Sequence, residues 1–140
     1  MAKVKVCVCY DHQDDQQYRR LLEAWDANRN VDFALTSLTP EEVNSDNYSV
    51  IQGVLTKHIT EATRLLVIVG RHATRRHPRW SEIGDRNWIY WEVNKAKDLG
   101  KKLVGVKLDR SFDSPEPLLG SGASWAMSFN LDAIVDALRK

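Results

Sequence analysis

Leu65-Leu66-Val67-Ile68-Val69-Gly70 is the stretch whose reading decides the fold. It holds no charge and ends in glycine. A strand exposed on one face alternates apolar and polar residues. An unbroken apolar run marks a strand covered on both faces, as in the centre of a parallel sheet. Such a sheet needs helices between its strands, so the flanking sequence should supply them.

It does so on both sides. Upstream, Tyr48 to Glu61 reads as a helix with Val50, Ile51, Val54, Leu55, His58 and Ile59 on its inner side. Before it comes a loop rich in turn formers, Thr39 to Asn47, and before that a short strand from Asp32 to Leu38. Val4 to Cys9 reads as the first strand. Asp14 or Asp15 can cap a helix running to about Ala27, with Tyr18, Leu21, Leu22 and Trp25 on one stripe. Downstream, a long polar loop, 71–86, leads into a helix that carries Glu92 and ends near Leu99-Gly100. Leu103 to Leu108 is a fourth strand and Ser124 to Phe129 a fifth. Asn130 caps a last helix whose Leu131, Ile134, Val135 and Leu138 face the core. Strands alternating with helices predict a single α/β domain over residues 1–140. The expected arrangement is flavodoxin-like: three layers, a mainly parallel sheet in the order 2-1-3-4-5, and helices on both faces. Ligands then bind beyond the carboxyl ends of the strands, where loops 10–15, 39–48 and 71–87 meet.

The 140 residues carry a formal net charge of +1, which gives no global attraction to nucleic acid or to an anionic membrane. No apolar run reaches transmembrane length, and residues 1–10 lack the apolar stretch and cleavage site of a signal peptide. The expected location is the cytoplasm. Cys7 and Cys9 are the only cysteines. Spaced i,i+2 on a strand they point to one face, poorly placed to bond each other, and no further cysteine completes a metal set. They are expected to be buried thiols, with no metal bound.

The familiar occupants of such a sheet are excluded one by one. A receiver domain needs a phosphoacceptor aspartate at the end of strand three, where this chain has Val69-Gly70-Arg71. Flavodoxin needs a Ser/Thr- and Gly-rich phosphate loop after strand one. Here Tyr10-Asp11-His12-Gln13-Asp14-Asp15 would repel phosphate. Walker and dinucleotide fingerprints, a Gly-x-Ser-x-Gly elbow and a His-Glu-x-x-His pair are all missing.

Attention then falls on Arg86-Asn-Trp-Ile-Tyr-Trp-Glu92. The i,i+4 spacing puts Trp88 and Glu92 on one helical face, so indole and carboxyl can line one pocket. A desolvated carboxylate beside aromatic surface is costly unless it has a partner or a task. The plainer alternative is an amphipathic helix with aromatic core contacts and a solvated acid.

Three features together resemble the TIR domain of the short bacterial proteins of the Thoeris anti-phage system, the ThsB type. Cys9-Tyr10-Asp11-His12-Gln13-Asp14 is similar to the family's small residue, aromatic and nearby aspartate after strand one. The third strand ending in glycine leads through a polar loop to Trp88-x-x-x-Glu92, matching the tryptophan and catalytic glutamate of NAD-consuming TIR enzymes. Gly100-Lys-Lys-Leu-Val-Gly-Val-Lys107 looks like the family's fourth strand after a Gly-Lys turn. The resemblance spans residues 4–109. Cys9 stands where serine is common, loop 71–87 is long, and the loop after strand two lacks the glycine signature of receptor-type TIR domains.

The resemblance implies a TIR fold and cleavage of the nicotinamide–ribose bond of NAD, with NAD as substrate and no further cofactor. That bond breaks through an oxocarbenium-like state and its leaving group departs neutral. The chemistry therefore needs a fixed negative charge and apolar walls more than a strong acid. Glu92 is implied as the catalytic charge. Tyr10, Asp11, His12, Trp88 and Trp91 are the implied substrate-binding positions, each with a plainer alternative. Tyr10 can stack on a base or close the core. His12 can donate to ribose or phosphate, or be a solvated loop residue. Asp14 reads best as a helix cap, Trp88 as a buttress for the helix, and Trp91 is the weaker candidate for either role. Loop 71–86, with Arg71, Arg75, Arg76, Arg79 and Arg86 against Glu82 and Asp85, can clamp a pyrophosphate, meet an acidic partner or simply be solvated. Trp80 among these arginines should pack on its own core, a second subunit or a ligand. The expected partners are NAD, an effector reached through the product, and further copies of the chain, with no membrane. The rival function is a non-catalytic TIR interaction module. Nucleic-acid binding is the weakest reading, lacking net charge and interleaved aromatics.

Overall fold

A computed structural model describes residues 4–27, 33–35 and 40–140. Five strands form one sheet in the order 2-1-3-4-5: β1 (Val4–Cys9), β2 (Phe33–Leu35), β3 (Arg64–Val69), β4 (Lys102–Lys107) and β5 (Ser124–Ala126). Every pairing is parallel, including β2 and β5 at the edges. The register places Cys9 beside Val67 and Val69 beside Lys107, so β1 and β3 end almost level in the middle of the sheet. Among the described residues five α-helices surround it: α1 (Gln16–Asp26), α2 (Tyr48–Glu61), α3 (Trp80–Ile83), α4 (Trp88–Asp98) and α5 (Leu131–Arg139).

The continuous apolar strands are buried on both faces, as their composition requires. One face packs Val6, Val8, Leu66, Ile68, Val104 and Val106 against Leu22 of α1 and Ile134 and Leu138 of α5. The other packs Cys7, Cys9, Leu65, Val67 and Val69 against Ile59 of α2 and Ile89, Val93 and Ala96 of α4. Both cysteines are buried free thiols, and burial pushes each well above the ordinary thiol range.

Several boundaries differ from expectation for identifiable reasons. The loop 71–86 contains the one-turn helix α3, ended by Gly84 and seated by Ile83 in a small core with Ile51, Leu55 and Trp88. Of the strand expected over Asp32–Leu38, Phe33–Leu35 is present; the remainder, like Thr39, lies outside the described residues. The fifth strand stops at Ala126, and the chain turns beyond it, where the Asn130 backbone N–H donates to the Ser128 carbonyl at 3.1 Å. Asn130 then caps α5 as expected, its side chain accepting from Ala133 N–H at 2.8 Å. Asp14 does not cap α1. Asp15 occupies the cap position, yet its carboxylate makes no cap hydrogen bond and is instead buried.

Candidate functional site

The carboxyl ends of β1 and β3 open into a cleft of about 520 Å³. Its walls come from the three loops that the topology brings together: Tyr10 to Gln13 after β1, Pro40 and Glu41 after β2, and His72 to Pro78 after β3. The first turn of α4 supplies Asn87, Trp88 and Ile89. A second hollow of about 760 Å³ shares Pro40, Glu41, His77 and Trp88 with it and extends past Asp46 and Tyr48. Together they form a groove with an aromatic divider.

Asn87 fixes one wall. Its side-chain oxygen accepts from Tyr90 N–H at 2.9 Å and so caps α4. Its amide nitrogen donates to the carbonyls of Ala73 (3.0 Å) and Arg75 (2.8 Å), binding the long loop to the helix start. Sequence reasoning passed over this residue, although a buried asparagine directly before an apolar helix carries the signal of a cap.

Tyr10, Asp11, His12 and Trp88 of the expected site all line the cleft. Tyr10 does two things at once: it belongs to the core of the α1 face, and its hydroxyl accepts from Arg19 at 3.3 Å. Asp11 is paired with Arg75 at 3.0 Å, so one arginine of the long loop is spent inside the site. His12 sits 6.4 Å from the Tyr10 ring and contacts the Gln16 amide at 2.9 Å. Trp88 packs between Tyr48 (5.5 Å between centroids) and Trp91 (5.8 Å, edge-on), which makes it a buttress as well as a wall. Trp91 is not brought into the cleft; it stands behind Trp88 with Lys95 over its face.

Glu92 lies one turn further along α4, beneath Trp88 and Ile89, and is 3 % exposed. Burial pushes its carboxyl up to about 8. The Cys9 thiol opposes that shift by hydrogen bonding, and the negative charge of Glu41 across the cleft adds to it. The same thiol lies 4.0 Å from the Ile89 carbonyl, joining the end of β1 to the first turn of α4. Burial therefore favours the neutral acid one helical turn behind Trp88, and Glu92 itself is not among the residues that line the cleft.

A second withdrawn carboxyl, Asp15, sits where β1 and β3 diverge. It is 4 % exposed, one of its oxygens has no hydrogen-bond partner, and it is pushed up to about 6, chiefly by burial and then by Asp11 and Asp14. Its carboxylate occupies the space a β-carbon would need at Gly70, so glycine ends β3 to let the acid in. Asp14, expected as a cap, instead pairs with His72 from the long loop. Among the described residues no three His, Cys, Asp or Glu side chains are placed to hold a metal ion.

This frame, a parallel sheet with a glutamate beneath an aromatic cleft at its switch point, is the setting in which the comparison with known families becomes decisive. The model of the family described as Thoeris protein ThsB, TIR-like domain, matches residues 8–113. The chain belongs to that family. The match begins within β1 and runs past β4, so it takes in every loop of the cleft and all of α4. Comparison with curated proteins finds none that matches the chain. No helix among the described residues is long and apolar enough to cross a membrane.

For this TIR-like domain the arginine-rich loop is largely engaged with itself and its neighbours. Arg71 lies over Phe112, Arg76 over the Trp80 ring at 5.4 Å, and Arg86 donates to the Thr74 carbonyl. Trp80 remains 46 % exposed, packed on an arginine rather than on its own core.

Proposed function

We propose that this TIR-like protein cleaves the nicotinamide–ribose bond of NAD and converts the ADP-ribosyl group into a cyclic or conjugated signal that activates an effector in anti-phage defence. The single observation that carries this reading is the Glu92 carboxyl, buried one helical turn behind the cleft wall and pushed by that burial toward its neutral form. A fold has no use for such a group: a leucine or glutamine there would be cheaper. It becomes useful when a cation enters. The pyridinium of NAD, and then the oxocarbenium-like ribose, lowers the energy of the ionised form. The proton is released to solvent as NAD binds, and the poorly screened negative charge that remains offsets the developing positive charge.

The other residues fit that task. Trp88 and Ile89 supply the apolar floor that excludes water, and Tyr10 offers an aromatic edge to a base. The adjoining hollow past Asp46 and Tyr48 adds about 760 Å³ into which the rest of a dinucleotide can extend. NAD is the substrate in this reading and no other cofactor takes part.

The test is nicotinamide release from NAD by purified wild-type protein and by Glu92→Gln, with the nucleotide product identified by mass. Each is assayed with and without extract from phage-infected cells. Release by wild type with a loss of at least about 100-fold in the variant supports the reading. Folded wild-type protein that releases nothing in either extract sinks it. One observation favours the second reading, an interaction module: Trp80, exposed with Arg76 on its face beside a shallow hollow of about 480 Å³. Under that reading Glu92→Gln would leave assembly unchanged and Trp80→Ala would abolish it.

A further inference from the structure

Three histidines line the cleft, His12, His72 and His77, and their surroundings differ in a way that assigns them different chemistry. A neutral imidazole has one nitrogen that donates and one that accepts, and the partner of the first determines what the second can do. His77 Nδ1 accepts from the Arg79 backbone N–H at 3.0 Å, which leaves its Nε2 carrying the hydrogen. His77 can therefore donate into the cleft but cannot take up a proton from Nε2. His12 has its Nε2 occupied with the Gln16 amide at 2.9 Å. His72 is the reverse of His77. Its Nδ1 faces the Asp14 carboxylate, which can only accept, so Nδ1 holds the hydrogen and the Nε2 lone pair is open.

We propose that His72, oriented by Asp14, is the general base that takes the proton from the hydroxyl acceptor of the ADP-ribosyl group, whether that acceptor is water or a sugar hydroxyl. This rests on the NAD-cleaving reading above and deepens it. When the C1′–N bond breaks, its electron pair goes to the pyridinium nitrogen and nicotinamide leaves neutral. The acceptor oxygen forms the new C1′–O bond with a lone pair and must shed its proton. Nε2 of His72 receives that proton, and the carboxylate of Asp14 offsets the imidazolium charge until solvent removes it. Glu92 is 3 % exposed and is not among the residues that line the cleft, whereas His72 is. His72 lines the cleft after β3, Asp14 follows the lining residues after β1, and both are partly open to solvent. An incoming hydroxyl can therefore reach them.

The test separates acceptors that carry a proton from those that do not. Labelled nicotinamide re-entering NAD attacks through a neutral nitrogen with no proton to lose, and azide attacks as an anion. Purified full-length wild type, His72→Gln and Asp14→Asn are compared under conditions in which wild type consumes NAD, with thermal melts to verify folding. In His72→Gln, net NAD consumption is expected to fall by about 100-fold, the usual contribution of a positioned base. Exchange of labelled nicotinamide should stay within about threefold of wild type, and azide should restore consumption as a ribosyl azide. Asp14→Asn should show the same split with a smaller loss, because an amide orients the ring less well. The proposal is overturned if exchange and consumption fall in parallel, if azide restores nothing, or if both variants match wild type. If wild type neither consumes NAD nor exchanges nicotinamide, the NAD reading itself fails and this inference falls with it.

Discussion

The two ends of the sheet treat charge in opposite ways. At the amino ends of the strands, cations lie near solvent and finish main-chain hydrogen bonding. Arg64 donates to the Leu138 carbonyl at 2.6 Å, Lys101 to Thr60 at 3.0 Å and Lys102 to Lys140 at 3.2 Å. Long side chains reach free carbonyls, keep their charge wet, and serve stability alone. At the carboxyl ends, two carboxyls, Glu92 and Asp15, are withdrawn from water, and burial pushes both toward the neutral form, with His72 opposing it only in part at Asp15. One end lowers the energy of the fold. The other raises it, in the place where a ligand would enter. Such an imbalance is what a functional site on a stable scaffold looks like.

The largest effect that would sharpen this contrast is at Glu92. Its carboxyl is raised from 4.5 to about 8, so the folded state holds a proton that the unfolded chain gives up. The residue leaves the fold most stable below its unfolded value and takes stability away as pH rises, until the pH passes about 8. Glu92→Gln should therefore cost at least about 100-fold in nicotinamide release while stabilising the protein by a few kcal/mol at high pH. Urea midpoints near pH 5 and pH 8 check the sign: the gain must be larger at pH 8. A variant less stable than wild type at pH 8 would break the contrast.

Next in size is Gly70. A β-carbon there would meet the Asp15 carboxylate, so Gly70→Ala should destabilise by about 1–3 kcal/mol, the usual cost of overpacking. Combining it with Asp15→Ala should recover most of that loss in a double-mutant cycle. Gly105 is the matched control away from the site. Its β-carbon would lie 2.5 Å from the Trp125 ring, so Gly105→Ala should lose stability, and the loss should persist in the presence of Asp15→Ala.

Asp15 alone comes third. Raised from 3.8 to about 6, it too favours the fold at low pH and costs stability as pH climbs through that interval. Asp15→Asn should gain about 1–2 kcal/mol at pH 7 and almost nothing near pH 3.5, read from the same urea midpoints. The smallest effect belongs to the other end. Arg64→Ala should cost about 1 kcal/mol with no change in its effect between pH 5 and pH 8, because the guanidinium does not titrate there.

The sheet was legible in the sequence because its cause is local. Five apolar residues before Gly70 can hardly be anything but a strand covered on both faces, and the apolar spacing of Tyr48–Glu61 leaves little choice but a helix. The site was legible only in part. Helical spacing puts Trp88 and Glu92 on one face of α4, yet Trp88 alone of the two lines the cleft, while Tyr10 to His12 lie where a parallel sheet places its loops. What escaped depends on partners distant in sequence. Asp14 looks like a cap until a loop 58 residues away brings His72 to it. The arginines of 71–86 look like a free anion clamp until Arg75 is seen spent on Asp11. Asp15 gives no sign of burial, since the vacancy it fills is made by a glycine on another strand. Spacing along one element reveals which residues share a face. It says little about which side chains cross from one loop to the next.

The most direct test of the account is a carbon-13 NMR titration of the Glu92 carboxyl, with and without NAD. The account predicts a midpoint near 8 in the free protein and a marked fall when NAD binds, because the pyridinium draws the carboxyl into its charged form. A midpoint near the ordinary 4.5, unmoved by NAD, would contradict it.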